Sequence, residues 1–166
     1  MFALINNGIV VQVQPNEETG FVAVPAGTVC GMVQNADGTF SAPGPSLAQA
    51  QSSQIALLRS ACQSAITGGF TSSALGSAYN YPSDSNTQAN INSAAGNPSG
   101  GEIRCTLTPT ALSWPLVAHT QAQAQTVLTA LMAWVNGCQN KLDTLIAQVN
   151  AATTVAAVQA VVWVNP

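Results

Sequence analysis

A regular spacing of apolar residues between Thr120 and Asn150 constrains the fold of this chain more than any other feature. Alternating steps of three and four residues separate Leu128, Leu131, Val135, Cys138, Leu142, Leu145 and Val149. This heptad spacing places one apolar stripe along one side of an α-helix. Thr120 and Gln123 form a capping-box pattern at its start, so the sequence predicts a helix roughly 45 Å long.

We call these apolar residues the seam and regard them as a candidate assembly surface. The spacing fits two arrangements, of which a pair of helices within one chain is favoured over a coiled coil between copies. The charged residues that usually flank a coiled-coil seam and select its partner are missing. Gly137 lies in mid-helix and predicts either a bend or a close contact with another segment.

The composition indicates a folded protein with an unusually uncharged surface. Of the 166 residues, 47% are hydrophobic and 5% are charged, whereas an average domain has about 25% charged residues. The hydrophobic content suffices for a core and argues against disorder. Because few charges give little repulsion between molecules, the composition suits a protein that is partly covered within a larger assembly.

The few charged residues also disfavour two classes of function. The basic residues are Arg59, Arg104 and Lys141, and the formal net charge is −3. Nucleic-acid binding requires a cluster of basic residues to neutralise phosphates, and no such cluster is present. No stretch reaches the roughly 18 apolar residues of a membrane-spanning helix. We therefore expect no nucleic-acid binding and no membrane insertion.

No motif for catalysis or metal binding stands out. The cysteines lack the close spacing of zinc ligands, so we expect reduced core residues at Cys30, Cys62, Cys105 and Cys138. The only histidine, His119, directly precedes the long helix, where hydrogen bonding at the helix entry is favoured over general-base catalysis. The acidic residues are scattered, and the glycine pairs do not match a phosphate-binding loop. The sequence predicts no enzymatic activity and no cofactor.

Three tryptophans admit two interpretations. Trp114, Trp134 and Trp163 are far apart in the sequence, and tryptophans at such spacing most often belong to a core. Sugar binding on an exposed surface is the alternative interpretation.

The first 45 residues predict a small antiparallel β head. Two apolar runs flank Asn6-Asn7-Gly8, a hairpin signal because Asn and Gly tolerate positive φ. Further strands are expected at 21–24 and 28–34, and the latter pairs with a short run across the turn residues Asp37-Gly38. The segment Ala42-Pro43-Gly44-Pro45 then interrupts regular structure, so we place a boundary between domains 1–45 and 46–166.

The second domain predicts helices with a short β-hairpin. Ser46 begins a helix that ends at Gly68-Gly69, and residues 70–83 are expected to be extended. The further predicted elements are a short helix from Asp84 to about Ala95, a hairpin of 102–108 with 112–117, the long helix, and a short helix at 154–164. The predicted fold class is therefore α+β: a small antiparallel β head followed by a domain of two longer helices, one heptad-patterned, with a short β-hairpin.

Two stretches resemble a known family. The first comprises Phe70-Thr71-Ser72-Ser73-Ala74-Leu75-Gly76, Tyr81-Pro82-Ser83-Asp84 and Gln88-Ala89-Asn90. The second comprises His119-Thr120 with Gln123, the long helix and the segment Ala151-Ala152-Thr153-Thr154-Val155-Ala156-Ala157-Val158-Gln159. This order resembles an uncharacterised domain family found in small tail, tail-fibre and baseplate-region proteins of tailed bacteriophages and prophages. The resemblance covers roughly residues 46–164, and the β head resembles one often joined to that domain.

The resemblance implies a structural or accessory virion protein, located in the phage tail at the fibre or baseplate and assembled in the host bacterial cytoplasm. Its partners would be other tail or tail-fibre proteins, in a homo-oligomer or multi-copy assembly. One alternative is a tail-fibre assembly chaperone absent from the mature virion, and another is a glycan-binding or hydrolytic module at the tail tip. The family has no agreed activity, so the resemblance supplies no catalytic, cofactor-binding or metal-binding residues. Family members usually carry more charge in the long helix, where this chain has only Lys141 and Asp143.

Overall fold

The structure is a computed structural model that describes residues 1–108 and 114–166. It has an α+β fold, with an antiparallel sheet at the N-terminus followed by helices and small antiparallel hairpins. The predicted fold class is thereby confirmed. The chain divides into two compact units, Met1–Ser46 and Leu47–Pro166.

The first unit is a five-stranded antiparallel sheet in the order β3-β1-β2-β4-β5. Its strands are β1 (Phe2–Asn6), β2 (Ile9–Gln14), β3 (Val22–Ala23), β4 (Val33–Gln34) and β5 (Phe40–Ser41). Ala3, Val10 and Val24 form its small core. The predicted β1–β2 hairpin is confirmed, since Asn7 and Gly8 have φ values of 51° and 76°, as a tight two-residue turn requires.

Two strands of this sheet are shorter than predicted. The expected strand 21–24 is reduced to β3. The expected strand 28–34 is reduced to β4, because the residues before it are held in turns. The Thr28 hydroxyl donates a hydrogen bond to the Pro25 carbonyl at 3.0 Å. Gly31 has a φ of 88°, which is incompatible with an extended strand.

The second unit contains the helices and two hairpins. The helices are α1 (Leu47–Thr67), α2 (Ser85–Gly96), α3 (Gln121–Ala151) and α4 (Val155–Gln159). The strands are β6 (Phe70–Ser72), β7 (Tyr79–Tyr81), β8 (Gly101–Arg104) and β9 (Leu116–His119). Among the described residues, no helix has the length and apolar character needed to cross a membrane.

The predicted starts of α2 and α3 are confirmed by their caps. The Asp84 carboxylate accepts hydrogen bonds from the backbone N–H groups of Asn86 and Thr87, at 3.0 and 3.1 Å. Thr120 Oγ1 accepts from the Gln123 N–H, and Gln123 Oε1 accepts from the Thr120 N–H at 2.8 Å. This reciprocal capping box satisfies two backbone donors that a helix start otherwise leaves unpaired.

The two hairpins of this unit are linked. β6 pairs with β7, so that Phe70 lies opposite Tyr81, although the sequence indicated only an extended segment there. β8 pairs with β9, so the predicted hairpin is present, but its strands do not have the predicted bounds of 102–108 and 112–117. The predicted residues Leu112 and Ser113 lie outside the described residues. Asn80 and Thr106 exchange backbone hydrogen bonds of 2.7 and 2.9 Å between the hairpins.

The C-terminal helix was predicted too long. α4 ends at Gln159, whereas the predicted helix covered 154–164. The Gln54 side chain of α1 donates to the Val161 carbonyl at 2.6 Å, so this segment bonds to a neighbouring helix and does not extend its own. Gly137 lies beside Pro166, but a Cβ there would be 3.6 Å from Pro166 Cβ, an ordinary van der Waals distance, so this contact does not require glycine.

Two buried clusters lie along α3. The first cluster joins α2, both hairpins and the N-terminal half of α3, and consists of Phe70, Tyr81, Ile91, Ala94, Ala95, Ile103, Cys105, Ala124, Val127 and Leu131. The second cluster joins α1, α4 and the C-terminal half of α3, and consists of Ala50, Leu58, Leu145, Val149 and Val158. α3 is therefore the helix on which both parts of the core are built.

Candidate functional site

The seam of α3 packs largely within the chain. Four of its members are buried: Leu131, Cys138, Leu145 and Val149. Leu131 belongs to the first cluster, Leu145 and Val149 belong to the second, and the Cys62 thiol donates a hydrogen bond to the Cys138 carbonyl at 3.6 Å. The remaining three, Leu128, Val135 and Leu142, are half-buried.

Part of the seam lines a groove between α2 and α3. This α2–α3 groove has a volume of about 630 Å³. Its lining residues are Ser85, Gln88, Ala89 and Asn92 of α2 and Leu128, Leu131, Met132, Val135 and Asn136 of α3. Met132 is 57% exposed, which makes it the most accessible large apolar side chain of this lining.

The position of α2 creates the groove. Ile91 is fully buried in the first cluster, so the opposite side of this short helix carries its polar residues. Gln88 is held in place because its Nε2 donates to the Ser83 carbonyl at 2.7 Å. Sequence reasoning identified the α3 side of the groove as part of the seam, but it missed Met132 and the amide side chains of Asn92 and Asn136.

The chemistry of the groove suits binding and not catalysis. Its floor is aliphatic, its edges carry hydroxyl and amide groups, and none of its lining residues is charged. Amide and hydroxyl groups donate and accept hydrogen bonds but do not transfer protons readily near neutral pH. An apolar centre with a polar rim is the arrangement found in protein–protein interfaces.

His119 is buried beside the first cluster, where it contacts Tyr81. The buried ring has Nδ1 2.8 Å from the Val117 carbonyl and Nε2 2.9 Å from the Tyr81 hydroxyl. A carbonyl oxygen only accepts, so Nδ1 carries a hydrogen, and in the neutral ring Nε2 then accepts from Tyr81. Burial raises the pKa of Tyr81 far above its usual value. The hydrogen bonding expected of His119 at the helix entry is therefore present.

The cysteines are free, and all but one of them lie in the core. Cys62, Cys105 and Cys138 are buried as predicted, and burial raises the pKa of each thiol, which disfavours the reactive thiolate. The prediction was wrong for Cys30, which is exposed because it lies in the loop before β4. Within residues 1–108 and 114–166, no group of three His, Cys, Asp or Glu side chains is placed to hold a metal ion.

The tryptophans converge on one region of the second unit. Trp114 and Trp134 line one cavity, while Trp134 and Trp163 line another. Each ring is only half-buried. The predicted core role applies in part to two of them, since Trp134 packs against the first cluster and Trp163 against the second. Their separation in the sequence gave no sign of this convergence.

The chain was compared with known proteins by family, by curated sequence and by structure. Neither the curated proteins nor the solved structures gave a match. Residues 49–162 match the family described as a domain of unknown function, DUF4376. The matched segment covers more than half of the chain and includes α2, α3, the hairpins and the α2–α3 groove. The chain therefore belongs to the DUF4376 family.

Proposed function

We propose that this chain is a structural or accessory protein of a bacteriophage tail, at the fibre or baseplate, and that it acts through protein–protein assembly without catalysis. The α2–α3 groove is the observation that carries the assembly role. The phage context rests on the resemblance of the motifs at 70–90 and 119–159 to domains of small tail proteins. On this proposal the chain is assembled in the host cytoplasm, resides in the virion tail, and has other tail or tail-fibre proteins, or further copies of itself, as partners.

The groove best accommodates an uncharged amphipathic helix of a neighbouring tail protein. A groove between two helices with an apolar floor can bind the apolar face of a third helix. Leu128, Val135 and Met132 provide that floor. The absence of charge from the lining favours a partner segment that is equally uncharged, because an unpaired charge would lose its hydration on binding.

A single substitution tests this role. Met132→Asp places a carboxylate on an exposed position of the groove, so the chain should fold normally but fail to bind its partner. Leu57→Asp on α1 is the matched control, since Leu57 is 63% exposed and lies outside the groove. Phage carrying each variant would be purified and analysed by proteomics. We expect Met132→Asp to deplete the chain from particles and Leu57→Asp to leave it at the normal level.

The protein content of the purified particles distinguishes a virion component from an assembly chaperone. Cryo-EM density at the tail tip, together with the chain in purified particles, supports a virion component. Absence of the chain from particles, with the wild type bound to fibre protein in lysates, supports a tail-fibre assembly chaperone. Absence from particles and from all tail-protein complexes would reject both.

A further inference from the structure

The tryptophans line two neighbouring cavities at the end of α1. The cavities have volumes of about 280 and 420 Å³ and share Gly68, Gly69, Trp134 and Asn165. Trp114 lines the first cavity and Trp163 the second. We call this region the tryptophan cleft. Its cavities are near or within the range of roughly 300–1,000 Å³ typical of small-molecule sites.

Two of the three indole groups of the cleft already use their N–H donors within the chain. Trp134 Nε1 already donates to the Ala65 carbonyl at 3.1 Å, and Trp163 Nε1 donates to Asn165 Oδ1 at 2.8 Å. These bonds fix both rings and use their only polar atoms. The aromatic surfaces that remain are rigid and apolar, and they suit a ligand with a flat apolar face.

The polar groups of the cleft are neutral and complementary. Asn165 Oδ1 accepts the hydrogen bond from Trp163, so the amide N–H groups of Asn165 remain available as donors. Asn80 uses its amide nitrogen for the Thr106 carbonyl at 3.3 Å, which leaves its oxygen as an acceptor. Thr71 adds a hydroxyl group. Neither cavity has a charged residue in its lining, so a ligand with hydroxyl groups fits better than an anion or a cation.

The two glycines of the cleft are required by the conformation of the backbone. A Cβ at Gly68 would lie 2.9 Å from the Ser64 carbonyl oxygen, and one at Gly69 would lie 2.9 Å from that of Tyr81. Gly69 also has a φ of 112°, which other residues rarely adopt. The turn from α1 to β6 therefore requires both glycines, whether or not the cleft holds a ligand.

From this arrangement we propose that the tryptophan cleft binds a neutral pyranose unit of a glycan. A pyranose ring has an apolar face of C–H groups, which stacks on indole rings, and a rim of hydroxyl groups, which both donate and accept hydrogen bonds. Trp114 and Trp134 provide the stacking surfaces of the first cavity, and Asn80 and Asn165 provide the acceptor and the donor. This site goes beyond the assembly role and shares no residue with the α2–α3 groove.

The test uses the full chain and a panel of neutral oligosaccharides built from glucose, galactose, mannose or N-acetylglucosamine. Binding is followed by intrinsic tryptophan fluorescence and by the indole N–H resonances in NMR spectra. We expect saturable binding of at least one of these sugars at millimolar concentration or below, with shifts of the Trp134 and Trp163 indole signals. Trp114→Ala should weaken that binding at least about tenfold, since loss of a stacking ring removes on the order of 1.4 kcal/mol or more.

Two control variants distinguish a loss of sugar binding from a loss of folding or of assembly. Leu116→Ala removes a more exposed apolar side chain of the same segment that does not line the cleft, so sugar binding should be unchanged. Met132→Asp should also bind sugar normally, even if it fails to enter particles. The proposal is overturned if no neutral sugar binds, if only charged glycans bind, or if a folded Trp114→Ala variant binds as tightly as the wild type.

Discussion

The two ends of α3 share one heptad pattern but lie in very different surroundings. The C-terminal half is closed by α1 and α4, and the second cluster consists entirely of aliphatic side chains. The N-terminal half meets the shorter α2 and two small hairpins, and its core includes Tyr81 bonded to the buried His119. On that half, Leu128 and Val135 remain half-buried beside an open groove.

This difference shows that a heptad pattern gives a helix an apolar side without ensuring that the apolar side is fully covered. The pattern specifies that a helix has an apolar side, and both halves of α3 have one. How completely that side is covered depends on the length of the helix packed against it, which is 21 residues for α1 and 12 for α2. A short partner helix leaves apolar surface uncovered, and this surface is where we place the interaction site.

The largest expected loss of stability comes from a variant that introduces one carboxylate into each half of α3. Leu131→Asp combined with Leu142→Asp should abolish folding, because Leu131 is 4% exposed and Leu142 packs against the second cluster. Burying unpaired carboxylates costs several kcal/mol each, comparable with a typical domain stability of about 5–15 kcal/mol. Circular dichroism with thermal melting measures the loss. A folded monomer derived from a larger wild-type oligomer would instead mean that the seam joins copies of the chain.

A pair of identical truncations compares the two halves directly. Leu145→Ala should lower the free energy of unfolding by about 2–5 kcal/mol, the usual range for a buried leucine, since Leu145 is 6% exposed. Leu128→Ala, in the half-open part, should lower it by about half as much or less. Urea denaturation provides both values. Equal losses would show that Leu128 is as well packed beside the groove as Leu145 is in the second cluster. The two halves of α3 would then not differ as we describe.

The polar pair in the N-terminal half should have a measurable effect of its own. Tyr81→Phe removes the hydroxyl group that lies 2.9 Å from His119 Nε2 and leaves a buried ring nitrogen without its partner. We expect a loss of about 1–3 kcal/mol in the free energy of unfolding. Tyr79→Phe on the same strand serves as the control, because that ring is only half-buried. The interpretation fails if both variants unfold at the same urea concentration as the wild type.

The smallest expected effect concerns the cap of α2 and depends on pH. Hydrogen bonds from the Thr87 hydroxyl, and then from the backbone N–H groups of Thr87 and Asn86, hold the pKa of Asp84 below its usual value of 3.8. The folded state thus favours the carboxylate, so this stabilisation is complete above about pH 4 and is lost as the pH falls through the folded pKa. Asp84→Asn retains a cap without a titrating group.

The corresponding measurement is the melting temperature at about pH 7 and about pH 3. Between these values the wild type should lose slightly more stability than Asp84→Asn does. If the two proteins show parallel losses, Asp84 makes no contribution to the acid sensitivity of α2, and other carboxyl groups account for all of it.

Local chemistry made several elements predictable from the sequence. Asn7-Gly8 determines a tight turn, Asp84 determines the start of α2, and Thr120 with Gln123 determines the start of α3. In each case the hydrogen bonds or backbone angles involve residues within a few positions of one another, so a short stretch of sequence contains the whole cause.

Features that depend on distant residues were not predictable in this way. The turn around Gly76 gave no indication that Phe70 lies opposite Tyr81, and α4 ends early because Gln54 of α1 bonds to Val161. The α2–α3 groove required the orientation of α2, whose polar residues resemble any exposed helix face. The tryptophan cleft required the positions of three separate segments. The assembly role, the tail location and the lack of enzymatic activity stay predictions.

The pairing of α1 with α3 has a consequence for the order of events during protein synthesis. Cys62 and Cys138, which meet between these helices, are 76 residues apart. At a translation rate of roughly 5–20 residues per second, Cys62 leaves the ribosome about 4–15 s before Cys138 does. Throughout that interval Leu58 has no α3 to cover it. The alanine, glutamine and serine residues that dominate α1 limit the apolar surface exposed while the nascent chain waits, and so limit its association with other nascent chains.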